Sequence, residues 1–126
     1  MIVLDTSIWI EYFKRNEPYH TEVKTLLQSR TAIAFEPVFG ELLQGSKSKK
    51  ETDLIINYWN YTPKVDSEQL FINAGILSYK EKLLSKGVGI IDSSLIVTTI
   101  QNGYKLWTLD KKIINSIVSK YIYKIK

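Results

Sequence analysis

Apolar and polar positions follow one another in blocks along this chain, and the period of the blocks switches between that of a strand and that of a helix. Ile2-Val-Leu is a short branched apolar run that stops at Asp5-Thr-Ser, a helix-start signature, and Ile8, Trp9, Tyr12 and Phe13 then recur on one helical face. The chain therefore opens as strand then helix. After Pro18, the residues Val23, Leu26 and Leu27 share a face of a second amphipathic helix, and Thr31-Ala-Ile-Ala-Phe reads as another buried strand. Pro37 suits the first turn of a third helix, which carries Val38, Leu42 and Leu43 and ends near Gly45. Residues 44 to 53 form the one sustained polar stretch, expected as an interhelical loop or frayed helix end, before Leu54, Ile55 and Tyr58 resume helical spacing.

The second half repeats the alternation. Tyr61-Thr-Pro-Lys-Val is a weak strand, and its proline places it at an edge or a strand end. Ser67-Glu-Gln starts a long helix through about Ser85, with Leu70, Phe71, Ala74, Leu77 and the stretch from Tyr79 to Leu84 supplying its buried face; Gly87 terminates it. Ile91 to Gln101 is a helix bearing Leu95, Ile96 and Ile100. Lys105-Leu-Trp-Thr is a strand, Lys111 to Ser119 a short helix and Tyr121-Ile-Tyr-Lys-Ile a final strand. Strands alternating with helices over one core predict an α/β domain spanning residues 1–126, with an open, mostly parallel central sheet and helices on both faces.

Composition narrows the class. At 126 residues the chain is long enough to bury a core without a disulfide or structural zinc, and it has no cysteine for either. With no apolar run of membrane-spanning length and no basic segment leading into an apolar one at the start, the chain is expected to be soluble and cytoplasmic, with no membrane partner.

Four carboxylates stand out against this pattern. Asp5 follows Met1-Ile-Val-Leu, Glu41 lies in Val38-Phe-Gly-Glu-Leu-Leu, Asp92 follows Val88-Gly-Ile-Ile and Asp110 follows Lys105-Leu-Trp-Thr-Leu. An acid embedded in apolar sequence must neutralise itself, pair, or bind a cation. Taken singly, Asp5, Asp92 and Asp110 read equally well as helix caps, and Glu41 as a surface helix residue. Taken jointly, Asp5 and Asp110 both follow strands of a parallel sheet and so meet at its carboxyl edge, where ligands bind in such sheets. Asp92 opens a helix whose inward residues are Leu95 and Ile96, and Glu41 can reach the same rim from its own helix.

Hard carboxylate oxygens, with no cysteine and His20 the sole histidine, favour Mg²⁺ or Mn²⁺ over zinc. His20, in a polar segment after Pro18-Tyr19, reads as a surface residue. Without a cation the clustered acids would repel, and at least one would hold a proton near neutrality. A divalent ion among oxygens at a sheet edge suits phosphodiester hydrolysis. With those four acids set aside, nine acids remain against 17 bases, a nominal +8 that favours a polyanionic partner. Fifteen of the bases are lysine, however, so the same surplus also reads as plain solubility.

At these residues the chain resembles the PIN-domain ribonucleases, and among them the single-domain VapC-type toxins of toxin–antitoxin systems. Ile2-Val-Leu-Asp5-Thr-Ser-Ile-Trp-Ile looks like the opening strand and acid of that family, and Glu41-Leu-Leu-Gln-Gly45 like its glutamate helix. Ile91-Asp92-Ser-Ser-Leu-Ile resembles its third motif and Leu106-Trp-Thr108-Leu-Asp110 its fourth. The resemblance implies a three-layer α/β/α fold and a metal-dependent endoribonuclease that cuts RNA, restrained by a cognate antitoxin and usually homodimeric. By position, Asp5, Asp92 and Asp110 would be metal ligands, and Glu41 a ligand or a positioner of water. Thr6 and Thr108 would orient the acids by hydrogen bonding. Many relatives carry a further acid and an aromatic after the fourth motif, where this chain has Lys112 and Ile113, which implies a second ion held weakly or only with RNA bound.

Lys47, Lys49, Lys50, Lys111 and Lys112 flank the acids in sequence, and Lys111 and Lys112 are the expected RNA contacts. Trp9, Tyr12 and Phe13 are expected as core or dimer contacts, and with Ile8 they lie beside the Glu41 helix, where the family forms its antitoxin groove. Two other readings compete. One is a PIN-like module that binds RNA or protein without cutting. The other is a phosphate-accepting receiver domain, which fits less well because Asp5 is followed by Thr6-Ser7 and no aspartate follows Phe35.

Overall fold

A computed structural model of the chain describes residues 1–65 and 67–126. Strand β1 (Ile2–Leu4) leads through helices α1 (Thr6–Phe13) and α2 (Tyr19–Gln28) to β2 (Ala32–Ile33). Helices α3 (Glu36–Gln44), α4 (Lys49–Tyr61), α5 (Leu70–Glu81) and α6 (Ile90–Asn102) follow, then β3 (Lys105–Trp107) and the short α7 (Lys111–Ile114). The sheet runs β2-β1-β3 with both pairings parallel, Ile2 lying opposite Ala32 and Lys105. Helix α1 packs against both α2 and α3, α3 against α4 and α5 along α6, and α6 contacts β3, giving the α/β/α layers expected from the sequence.

The short strands are apolar because both faces of the sheet are covered. Val3, Leu4, Ala32, Leu106 and Trp107 are all buried, and they meet Ile8 and Trp9 of α1, Val38 and Phe39 of α3, and Leu95 and Ile96 of α6. Trp9 is fully buried, with its ring 5.1 Å from Phe39 and 5.8 Å from both Phe13 and Tyr58. Ile8, Trp9 and Tyr12 are therefore core. His20 is not a bare surface residue, because its ring stacks on Tyr12 at 4.8 Å and its Nδ1 lies 3.0 Å from the Tyr12 carbonyl oxygen.

Several elements are shorter or better ordered than the sequence suggests. The weak strand at Tyr61-Thr-Pro-Lys-Val and the predicted final strand at Tyr121-Ile-Tyr-Lys-Ile each contribute one isolated parallel bridge, Ala34 with Lys64 and Leu106 with Ile122, and Ser119–Tyr121 is a 3-10 turn. Pro63 has no N–H for a longer ladder, while its carbonyl accepts from the Ala34 N–H at 2.7 Å. The helix predicted from Ser67 to Ser85 is confined to Leu70–Glu81, since Lys82 turns left-handed (φ 56°) and a 3-10 turn at Leu84–Lys86 follows. Leu83 is buried as a result, but Phe71, Tyr79 and Leu84 of the predicted buried face are exposed. The polar stretch at 44 to 53 is mostly helix. Ser48 caps α4 by accepting from the Glu51 N–H at 3.1 Å, and Lys49 pairs with Asp53 one turn on.

Candidate metal centre

Asp5 ends β1 and caps α1. The Asp5 N–H donates to the Trp107 carbonyl (3.0 Å), which holds the residue in the sheet, while its Oδ1 accepts from the Thr6 N–H at 2.7 Å. Its other oxygen, Oδ2, accepts from Thr108 Oγ1 at 2.6 Å and from Ser7 Oγ at 3.1 Å. Although the Asp5 residue is only 7% exposed, three donors serve its carboxylate oxygens, so the buried polar group is not left without partners.

Thr108 and Ser7 are shared between two strand ends. Thr108 Oγ1 accepts from the Asp110 N–H (3.0 Å), and Ser7 Oγ accepts from the Leu109 N–H (3.1 Å). The turn after β3 is thereby tied to the start of α1. Asp110 caps α7, its Oδ1 accepting from the N–H groups of Lys112 (2.8 Å) and Ile113 (3.4 Å). Glu41, exposed on α3, accepts from Thr6 Oγ1 at 3.0 Å. Thr6 and Thr108 thus make the hydrogen bonds expected of them. Ser7 was passed over in the sequence, and its one available signal was its place two residues after Asp5.

Asp92 sits in the first turn of α6, but it is not a cap; that position belongs to Gly89. Buried Leu95 and Ile96 turn this face of the helix inward, and Asp92 is half-buried with no hydrogen bond to its carboxylate among the described residues. Its pKa is pushed up to about 6, first by burial and then by the negative charges of Asp5, Asp110 and Glu41, against a lowering from Lys112. The coupled repulsion expected from the sequence therefore falls chiefly on this residue.

The four acids line one open cleft of about 430 Å³, with Thr6, Ser7, Ile10 and Leu109 completing its walls. A larger cavity of about 710 Å³ lies on the other side of Glu41, between α3 and α5, and includes none of the three aspartates. Among the described residues no three His, Cys, Asp or Glu side chains form a ready-made metal-binding arrangement. Asp110 Oδ1 serves two N–H groups and Glu41 Oε1 serves Thr6, so one oxygen of each of these carboxylates is already engaged by protein donors. The donor chemistry itself fits a hard divalent ion, because every candidate ligand atom is a carboxylate oxygen and repulsion at Asp92 would be relieved by positive charge.

Beside the cleft, Ile10, Phe13, Leu42 and Ile55 form an apolar groove of about 180 Å³ that also reaches Thr6 and Glu41. Among the described residues no helix is long and apolar enough to cross a membrane.

Comparison with known proteins bears on the family and the fold. The chain is 29% identical over 116 residues to Ribonuclease VapC32 of Mycobacterium tuberculosis, an alignment covering 90% of this chain and 87% of that protein. Its fold is similar to VapBC2 from Rickettsia felis, solved bound to a promoter DNA fragment, with TM-score 0.70, 24% identity and 93% of each chain covered. A toxin–antitoxin complex from Klebsiella pneumoniae is similar at TM-score 0.69 and 16% identity, covering 98% of this chain and 100% of that one. The PIN domain model matches residues 2–116, a span that contains all four carboxylates, and the chain belongs to the PIN domain family.

Proposed function

We propose that this chain is a metal-dependent endoribonuclease acting as the toxin of a toxin–antitoxin pair. The observation that carries the reading is the single cleft lined by Asp5, Glu41, Asp92 and Asp110, with the likeness to a named ribonuclease supplying the substrate class. VapC-type PIN ribonucleases depend on metal in general. In this chain Asp5, Asp92 and Asp110 would hold the ion, with Mg²⁺ or Mn²⁺ the ions that suit their oxygens. A divalent ion in such a site lowers the pKa of bound water and offsets charge on a phosphoryl oxygen.

The residues themselves have separable tasks. Thr108 and Ser7 hold Asp5 Oδ2 from two directions, so that the carboxylate keeps one orientation. Thr6 holds Glu41, whose exposed carboxylate positions water at the rim of the cleft. Lys111 and Lys112, exposed at the start of α7, contact RNA phosphates on the approach to the acids.

Two protein partners belong to the same reading. A cognate antitoxin would lay apolar side chains in the groove of Ile10, Phe13, Leu42 and Ile55, close enough to Glu41 to obstruct the cleft. This revises the surface expected from the sequence: of the residues named there only Phe13 lines the groove, because Ile8, Trp9 and Tyr12 are core. A homodimer would cover the exposed apolar face of α5, formed by Phe71, Ile72 and Ile76.

Purified chain should cleave RNA with Mg²⁺ or Mn²⁺ and stop on chelation. Asp5→Asn and Asp92→Asn should each lose cleavage while circular dichroism remains that of the parent. Full activity in both variants would remove the acids from the chemistry.

A further inference from the structure

The cavity of about 710 Å³ between α3 and α5 adjoins the acid cleft: Glu41 lines both, and Ile91, next in sequence to Asp92, forms part of the cavity wall. Its volume falls within the roughly 300–1,000 Å³ typical of sites for small organic groups. Its walls differ in chemistry. Glu36, Gly40 and Gln44 are spaced four apart on one exposed face of α3, so they line the cavity in a row. Val65, Leu70 and Ile91 add a partly buried apolar wall from other elements. Glycine in a helix interior weakens the helix relative to alanine, yet a Cβ at Gly40 would meet nothing within 4 Å, so no close packing requires it. What the bare position does is keep the α3 wall open between a carboxylate and an amide.

No lysine, arginine or histidine is among the described residues lining this cavity, whereas two carboxylates, Glu36 and Glu41, are. A phosphate is repelled from such a place, while a neutral planar group can lay a face on the apolar wall and turn its edge to Glu36 and Gln44. Single-stranded RNA is read through splayed bases that are hydrogen-bonded along their edges in this way. We propose that the cavity is a nucleobase subsite, which takes the base of a nucleotide next to the cleaved phosphate and selects a base with an exocyclic amino group. The proposal rests on the ribonuclease reading above and names the part of the substrate that lies beside the acids. The Glu36 carboxylate only accepts hydrogen bonds, so it suits the amino group of adenine, cytosine or guanine and opposes the O4 of uracil. The Gln44 amide both donates and accepts, and so can pair with a second edge atom. An antitoxin fits less well here, because the apolar groove of Ile10, Phe13, Leu42 and Ile55 already offers it a seat beside Glu41.

The test is cleavage by the full chain, with Mn²⁺, of a single-stranded RNA library randomised in sequence, the cut ends then being sequenced. The parent should disfavour uracil by roughly tenfold or more at one position flanking the cut. Glu36→Gln, which offers a donor amide, should admit uracil there. The preferred sequence is next made as an oligonucleotide, both intact and with that one nucleotide abasic. Loss of the base should lower kcat/KM by roughly tenfold or more in the parent. It should have little effect in Gly40→Leu, whose side chain fills the cavity, and an intermediate one in Gln44→Ala. The two losses are coupled only if the base sits against Gly40. Circular dichroism of each variant should match the parent, since all three positions are exposed on α3. Full discrimination retained in Glu36→Gln, or an equal abasic loss in the parent and Gly40→Leu, would overturn the subsite. So would unchanged RNA cleavage by Gly40→Leu with loss of inhibition by the cognate antitoxin, which would give the cavity to protein. A parent that cuts no RNA would instead overturn the ribonuclease reading on which the subsite stands.

Discussion

Asp92 shows most directly how one side chain can be wrong for stability and right for function. Its pKa, near 6, lies above the ordinary carboxylate value of 3.8. Between those two pH values the folded state keeps a proton that the unfolded state has already released. The metal-free chain should therefore lose stability as pH rises through that window and level off above about pH 6. Denaturant titrations in chelator from pH 4 to 8 should show the decline, and Mg²⁺ should remove it. Asp92→Asn should flatten the profile and make the metal-free protein more stable at pH 7, by about 1 kcal/mol once the solvent-facing half of the group is discounted, while abolishing cleavage. A variant less stable than the parent would show that burying this charge among the other acids is not what costs the metal-free fold stability.

Thr108 has the opposite character. Its hydroxyl is buried and serves as donor to Asp5 and acceptor for Asp110 N–H. Thr108→Val keeps the shape but leaves both partners short of a bond, so a loss of about 1–3 kcal/mol is expected by denaturation. Metal affinity should fall about 10- to 100-fold, because Asp5 loses its shortest hydrogen bond. Thr6→Val, at the exposed contact with Glu41, should cost much less stability. The capping and ligand readings of Asp5 and Asp110 are not alternatives, since both residues cap helices and both line the cleft.

At the scale of elements, two left-handed glycines close helical segments on either side of α6. Gly87 (φ +80°) ends the 3-10 turn at Leu84–Lys86, and Gly103 (φ +66°) caps α6. Gly87→Ala and Gly103→Ala should each lower stability by about 1 kcal/mol in thermal or urea unfolding, because an L-residue is strained there. A Cβ at Gly87 also meets the Lys112 side chain, whereas a Cβ at Gly103 has nothing within 4 Å. Helix existence was well marked in the sequence by the faces of Ile8/Trp9/Tyr12 and of Leu95/Ile96, whose burial the structure bears out. Strands were less well marked. Tyr121-Ile-Tyr-Lys-Ile has strand composition, but pairing depends on a neighbour in register, and only Ile122 finds one, at Leu106.

For the whole molecule, charge and apolar surface set the partners. Reversing Lys111 and Lys112 to Glu should weaken RNA binding and flatten its dependence on salt; an unchanged slope would place the footprint elsewhere. The face of α5 is a separate surface, with Ile72 63% and Ile76 50% exposed. Ile72→Glu with Ile76→Glu should leave circular dichroism unchanged but shift the mass measured by light scattering from dimer to monomer. A parent that runs as a monomer would remove the homodimer.

The alternation of strand and helix, the positions of the caps and the identity of the acids are local properties. Each follows from a few neighbouring residues, so the sequence by itself determined the α/β class and nominated Asp5, Glu41, Asp92 and Asp110. It also determined the oxygen-only donor set, because that is a matter of composition. Only the tertiary structure decided that the Asp5 carboxylate is held by Ser7 and Thr108, that Asp92 carries the repulsion of the other three, and that Phe71 and Tyr79 face outward. These depend on contacts between residues as much as 103 positions apart, as from Asp5 to Thr108. Periodicity reports which face of an element is apolar, whereas packing alone determines what that face meets.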